Sequence, residues 1–237
     1  DEIEKIRGLY TPLQLGLAAA VACAAFTFLL GGGPIEMLCA FIGAGAGNYL
    51  RCHLIKRHFT LYLCIISSVA LACLSYTVSL RLLETFFSIP GSHEAGYICA
   101  MLYIIPGFPF ITSGIDLAKL DMRSGLERLA YAVIIVVTST ITGWVMSTAL
   151  NLHPADFADL NIPPALHLIL RLAASFAGVF GFSIMFNSPV PIASAAALIG
   201  AVANTLRLEL VELAALPAAV AAFLGALTAG LLASFLM

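Results

Sequence analysis

The sequence predicts an all-α integral membrane protein of about eight transmembrane helices, drawn from an inverted 5+5 repeat. Three observations predict it. Of 237 residues, 61% are hydrophobic and only 10% charged, against about a quarter charged in a water-soluble domain. The charge-free stretches are as long as a bilayer is thick. The chain also matches itself at an offset of 156 residues, Phe26 falling on Phe182. Composition sets aside a soluble enzyme, a nucleic-acid binder and a disordered tail. A net charge of −2 carries no polyanion or polycation signal.

No Asp, Glu, Lys or Arg occurs in 8–35, 58–80, 95–115, 129–155, 172–206 or 213–237. A spanning helix needs about 20 mainly apolar residues. The gaps 58–80, 95–115 and 213–237 therefore fit one helix each, and 129–155 fits a helix plus a polar loop. The gap 172–206, extended upstream to Pro164, holds two spans parted at Asn187-Ser188-Pro189. The N-terminal gap ends in Gly31-Gly32-Gly33-Pro34, and a second apolar run follows from Ile35 to Leu50. The predicted spans are 11–30, 34–50, 60–81, 95–112, 128–150, 165–186, 189–206 and 215–237. Short turns and no alternating polar pattern favour helices over a β-barrel.

Lys and Arg placement orients the chain. With the N-terminus cytoplasmic, Lys5, Arg7, Arg51, Lys56, Arg57, Lys119, Arg123 and Arg128 lie inside, and Arg81, Arg171 and Arg207 outside. Residues 1–10, DEIEKIRGLY, lack the basic start of a signal peptide and read as the end of a soluble segment. Residues 11–150 then form the first five-helix membrane repeat, 151–164 an outer loop, and 165–237 an incomplete second membrane repeat. Cys23, Cys39, Cys52, Cys64, Cys73 and Cys99 show no metal spacing and read as small packing residues.

The repeat lays AAFTFLL (24–30) over FGFSIMF (180–186) and NYLR (48–51) over NTLR (204–207). Five spans separate the copies, so they take opposite orientations across the membrane. Many secondary transporters are built this way, with the site at the repeat interface. Asn48 and Asn204, and Arg51 and Arg207, are its paired polar residues.

Span 4 reads YICAMLYIIPGFPFITSGID. Pro106 and Pro109 each remove a backbone donor, and Gly107 adds freedom between them. One reading is a discontinuous helix whose open backbone, with Thr112 or Ser113, meets a solute. The other is a helix ending at the cytoplasmic boundary. In DLAKLDMRSGLERL (116–129), Asp116 is either a proton carrier beside the break or the N-cap of a short amphipathic helix. Thr138 and Thr142 share a face of span 5, lining a polar path or bonding carbonyls one turn back. Gly43, Gly45 and Gly47 form a small-residue stripe of the kind that packs helices tightly. His153 and His167 flank the outer loop and read as solvated. His93-Glu94 lacks the second His of a zinc-protease helix, Gly181-Phe182-Ser183 lacks a nucleophile elbow's last glycine, and no Walker loop is present.

Pro106-Gly107-Phe108-Pro109, Asp116, and Ser124-Gly125-Leu126 with Arg128 resemble the PG-x-P…D…SGL-x-R signature of the threonine/serine exporter family. The end of span 1 (Phe26 to Gly32), the basic turn after span 2, and Phe182 to Asn187 fit as well. The resemblance implies export of threonine and serine driven by the proton gradient. Relatives with the two halves on separate chains imply dicarboxylate (succinate-type) export as the alternative. A further alternative is a channel or scaffold subunit needing a partner chain. Relatives often carry Asn three residues after the second Pro, where this chain has Thr112. The family's soluble N-terminal domain implies that DEIEKIRGLY is that domain's last turn and that the final spans are also absent. The expected site is Pro106, Gly107, Pro109, Thr112, Asn48 and Asn204 for the solute and Asp116 for the proton, with no enzymatic activity, cofactor, metal or nucleic acid. The expected setting is a bacterial plasma membrane, with a homo-oligomer left open.

Overall fold

The computed structural model describes residues 8–87, 93–152, 157 and 162–236, and among them the secondary structure is helical throughout. Nine α-helices follow in chain order among these residues: α1 (Pro12–Leu29), α2 (Pro34–Lys56), α3 (Leu61–Phe86), α4 (Gly96–Ala100), α5 (Gly107–Ala118), α6 (Met122–Ala149), α7 (Pro164–Met185), α8 (Val190–Glu212) and α9 (Ala218–Leu236). A 3-10 turn, Leu102–Ile104, lies between α4 and α5.

Local chemistry sets the ends. Thr11 caps α1 in a reciprocal box with Gln14, and Pro12 takes the first helical position, where its missing N–H costs nothing. Gly33 and Glu36 form the same kind of box for α2, the carboxylate accepting from the Gly33 N–H at 3.0 Å. Gly31, at φ +100°, makes the sharp reversal between these helices, a conformation that Cβ-bearing residues resist. Several helices stop on a left-handed residue, namely His58, Leu120, Asn151 and Asn187. After each, the next N–H folds back to the last turn, as from Phe59 to Leu54, Asp121 to Asp116, Leu152 to Ser147 and Ser188 to Ser183. This closes otherwise orphaned carbonyls.

Six helices among the described residues are long and apolar enough to cross a bilayer, or seven if α4 through α5, bent by 56°, is one span. The sequence count of eight exceeds this by α2. That helix has the length, at 23 residues, but its centre is Gly-Ala-Gly-Ala-Gly-Asn and it carries Glu36 and Arg51. The other departure is at 116–129. No short amphipathic helix lies there: α5 continues to Ala118, Leu120 turns at φ +63°, and α6 starts at Met122.

The core sits among α1, α2, α3, α4, the 3-10 turn and α6, where Cys23, Cys39, Ile65, Val69, Cys73, Tyr76, Leu80, Cys99, Tyr103 and Ile135 pack together. The small-residue stripe on α2 admits this closeness. A Cβ on Gly43 would lie 2.8 Å from the Ala72 carbonyl, and one on Gly45 3.2 Å from the Ala20 Cβ. Helix α1 bridges this core to α7. The two run antiparallel: Tyr10, before α1, donates to the Ser188 carbonyl after α7, while Phe28 near the end of α1 meets His167 at the start of α7. The expectation of a soluble segment at 1–10 falls largely on residues 1–7, and that for His153 on 153–156, both outside the described residues.

Candidate transport site

The α4–α5 segment is broken as its prolines suggest, but at one of them only. After the 3-10 turn, Ile105 is extended (ψ 122°) and Pro106 caps α5 at φ −82°, ψ 61°. Pro109 is no second break. It occupies the third position of α5, within the first turn, where no intrahelical donor is required. Pro106 is buried, Gly107 and Pro109 are half-buried, and a Cβ on Gly107 would meet nothing within 4 Å. The start of α5 therefore opens onto free space. Thr112 does not aim its hydroxyl there, since Oγ1 donates back to the Phe108 and Pro109 carbonyls at 3.0 and 3.2 Å. Ser113 is buried and donates to the Gly125 carbonyl at 2.7 Å, tying α5 to α6.

Asp116 lies in the last turn of α5 and caps no helix; the cap of α6 is Asp121, which accepts from the Ser124 N–H at 3.3 Å. One carboxylate oxygen of Asp116, Oδ2, is buried without a hydrogen bond and stands 3.4 Å from Arg128 Nε. The Asp121 carboxyl is held below the usual range, first by the Ser124 side chain, then by the Ser124 N–H and the Arg128 charge.

Asn48 and Asn204 sit in two other helix interfaces. Asn48 Nδ2 donates to the Leu15 carbonyl at 2.8 Å, joining α2 to α1. Asn204 Nδ2 donates to Ser175 Oγ at 2.8 Å, joining α8 to α7, and its Oδ1 accepts from Arg207 Nε. The seven predicted site residues thus fall in three places: the α5 segment, the α1–α2 interface and the α7–α8 interface. Thr142 donates to the Thr138 carbonyl at 2.8 Å, which matches back-bonding. His167 stacks edge-on against Phe28.

Other polar groups escaped the sequence reading. Glu36 Oε1 and His93 Nδ1 lie 2.6 Å apart with side chains 4% and 11% exposed. On α7, Arg171 is buried and reaches both Glu209, at 2.8 Å, and Glu212 on α8. Tyr103 is buried with its hydroxyl unpartnered, pressed against α2 where a Cβ on Gly47 would lie 2.4 Å from it. A sequence signal existed for two of these: Glu36 and Arg171 are ionisable residues beside or inside apolar runs. Among the described residues no three His, Cys, Asp or Glu side chains gather as metal ligands. A cavity of about 610 Å³ opens between α1, α2 and α7, lined by Val21, Phe28, Met37, Phe41, Leu170 and Ala174. None of the predicted site residues faces it.

Comparison with known proteins bears on this arrangement. A model of the ThrE family, described as "Putative threonine/serine exporter", matches residues 1–151. The match covers more than half of the chain, so the chain belongs to this family. It is 28% identical over 149 residues to the "Probable succinate transporter subunit YjjP" of Escherichia coli (strain K12), covering 62% of this chain and 55% of that protein. The chain therefore spans about half the length of this curated relative. No solved structure matches.

Proposed function

We propose that this multi-pass membrane protein of the exporter family moves a small polar solute, threonine or serine first, outward in exchange for protons. The observation that carries the reading is the break at Ile105–Pro106, which gives a 56° bend with open space at Gly107. Discontinuous helices at membrane depth are where secondary transporters place solutes and ions, since the freed backbone groups replace water. The start of α5 offers a solute carboxylate the Phe108 N–H and a positive dipole end, the Gly107 and Phe110 N–H groups being bonded to the Ile105 and Pro106 carbonyls. Thr112, with its hydroxyl turned to its own helix, serves as a second contact only after a rotamer change. Asp116 is the proton carrier of this reading, because it is the carboxylate of the broken span and its Oδ2 is buried without a hydrogen bond.

Alternation of access comes, in this reading, from an inverted repeat about α1 and α7. Three features support it. The two helices run antiparallel, Phe26 and Phe182 meet edge-on with ring centres 5.4 Å apart, and Asn48 and Asn204 each tie the second helix of a copy to its first. Equivalent residues touch when a twofold axis passes between them. In this reading Lys and Arg placement sets the N-terminus in the cytoplasm, and the membrane is a bacterial inner membrane. A second reading, a subunit of a dicarboxylate transporter, is favoured by the name of the Escherichia coli relative.

Counterflow of labelled threonine and of labelled succinate in proteoliposomes, with and without a proton gradient, tests both. Saturable threonine exchange accelerated by the gradient is expected, and Asp116→Asn should abolish that acceleration while leaving exchange intact. Gradient-independent flux, or full gradient response in Asp116→Asn, overturns the coupling. Succinate-only flux, seen when a partner chain is added, selects the second reading.

A further inference from the structure

Arg81, Arg123, Arg128 and Arg171 each stand against a carboxylate, respectively Glu84 with Glu94, Glu127, Asp116, and Glu209 with Glu212. At the turn from α2 to α3 the charges are left open. Lys56 and Arg57 have no such partner among the described residues, and no Asp or Glu occurs between Glu36 and Glu84. We propose that this turn and the groove below it bind one anionic phospholipid, with its phosphate at Lys56 and Arg57 and an acyl chain between α1 and α2. The site is independent of which solute the protein moves. With the N-terminus cytoplasmic, it lies in the inner leaflet.

The groove and the charges share one face of α2. Gly45, Tyr49, His53 and Lys56 follow at spacings of four, four and three, which stacks them along the helix. The Tyr49 and His53 rings lie on that line with centres 4.4 Å apart. Below Tyr49 a groove of about 240 Å³ opens between α1 and α2, lined by Leu13, Gly16, Leu17, Gly45, Ala46 and Tyr49. Gly16 and Gly45 supply no side chain to fill it, while Leu13, Leu17 and Tyr49 are exposed beside it. From Gly45 to Lys56 the face climbs about 16 Å, at a rise of 1.5 Å per residue. One leaflet's half of the hydrocarbon core is about 15 Å. An acyl chain seated in the groove therefore brings its phosphate to the level of Lys56.

Charge and shape together select the occupant. Lys56 and Arg57 are exposed, and a Lys or Arg at the membrane surface strengthens attraction to anionic lipid about fivefold. Phe59 and Tyr62 are exposed on the same turn, and aromatic residues settle at headgroup level. Helix α3 starts here without a side-chain cap at Thr60, so its positive end adds to the field. A basic turn alone attracts anionic lipid without holding any one molecule. The groove supplies the hold. An apolar partner helix would fill the groove and leave the charges unmatched, and a soluble anion would do the reverse. The α5–α6 junction is the contrasting case: Lys119, Arg123 and Arg128 stand there among Asp116, Asp121 and Glu127, and the charges cancel.

The test uses the whole chain in an uncharged detergent, titrated with phosphatidylglycerol or with phosphatidylcholine of the same acyl chains. Native mass spectrometry counts the bound lipid. A single phosphatidylglycerol should be retained per chain, and phosphatidylcholine should not. Lys56→Gln/Arg57→Gln should raise the half-saturating concentration about thirtyfold, two residues at the strength given above. Lys119→Gln/Arg123→Gln should leave it unchanged. Ala46→Leu fills the groove without touching a charge and should weaken binding about tenfold, the worth of roughly two buried CH₂ groups. Unfolding temperatures without lipid check that each variant is folded. Equal retention of the two lipids, equal weakening by the two double variants, or unchanged binding in Ala46→Leu overturns the site. So does glycerol phosphate, which has the headgroup chemistry without tails, if it competes at the same concentration as the lipid. A dimer that dissociates in Ala46→Leu overturns it as well, because the groove would then hold a second copy.

Discussion

The two halves of the molecule use similar sequence to different ends. Helices α1 to α4 enclose a core in which Tyr76, Ile65, Val69 and Leu80 are fully buried, and every member of that core precedes residue 153. Helices α7 to α9 contribute no fully enclosed cluster of that kind among the described residues. Half of the apolar stretch of α1 or α3 is buried, against 11% of that of α9. Helices α1 and α3 are about as apolar as α7 and α9, so hydrophobicity alone does not decide which pack. Glycines admit close neighbours in both halves, Gly43 against the Ala72 carbonyl and Gly181 against the Ala18 carbonyl, but the first half adds a roof of α4 over α2. The second half has a buried arginine with two glutamates. Small residues drive association in lipid, where apolar surface alone gives no preference between lipid and protein.

The largest test of this contrast is steric. Gly47→Ala places a Cβ 2.4 Å from the Tyr103 oxygen, 2.8 Å from the Ser68 carbonyl and 2.9 Å from the Ala72 Cβ, so several elements must shift at once. A loss of about 3 kcal/mol is expected, the upper part of the usual overpacking range. A glycine change on α9, Gly225→Ala, meets the Ala203 carbonyl and the Arg207 Cβ at 3.1 Å. There the gain in helix propensity, about 1 kcal/mol, offsets the crowding. Thermal unfolding in a mild detergent reads both. Equal losses would break the contrast, because the halves would then be equally packed.

Ionic anchoring of the second half gives the next effect. Arg171 is buried, its side chain 7% exposed, while Glu212 is 52% exposed and Glu209 26%. Arg171→Met removes the charge and keeps most of the volume. Because water reaches the stranded carboxylates, the cost falls well below that of a fully buried pair, at about 1.5 kcal/mol. The same detergent assay at 1 M salt sharpens the point: screening should weaken the parent more than the Met variant. No salt difference would mean that α7 and α8 are held by packing, as in the first half.

Much of this fold is legible in the sequence, because charge gaps and turn residues mark helix ends directly. Gly31 to Gly33 and Asn187 fall where expected. The α2 span was legible in length but not in polarity, since its glycines and Asn48 pack on protein rather than lipid. The site was legible only along the chain. Pro106 announces the break, yet nothing local tells that Pro109 lands in a first turn and is harmless. The sequence reading offers Asp116 as the cap, whereas the cap of α6 is Asp121. The choice is made by Leu120, whose left-handed backbone no leucine advertises. Glu36 and His93 are 57 residues apart, and Arg171 lies 38 and 41 residues from its glutamates. Such pairs are products of packing, and no local pattern contains them.

The smallest effect comes from the junction after the break. Asp121 is fully exposed, and its carboxyl is depressed by the Ser124 hydroxyl and N–H and by Arg128. A folded value below the unfolded one means that the cap stabilises α6 at every pH above the ordinary Asp value, about 4. Its contribution fades as pH falls through the lower folded value. Asp121→Ala should thus lower the unfolding temperature slightly at pH 7, with the deficit vanishing in acid. Asp121→Asn, which keeps a capping oxygen without the charge, should lie between the two at pH 7 and show little of that pH dependence. If the Ala deficit persisted unchanged at low pH, the cap would act through geometry alone.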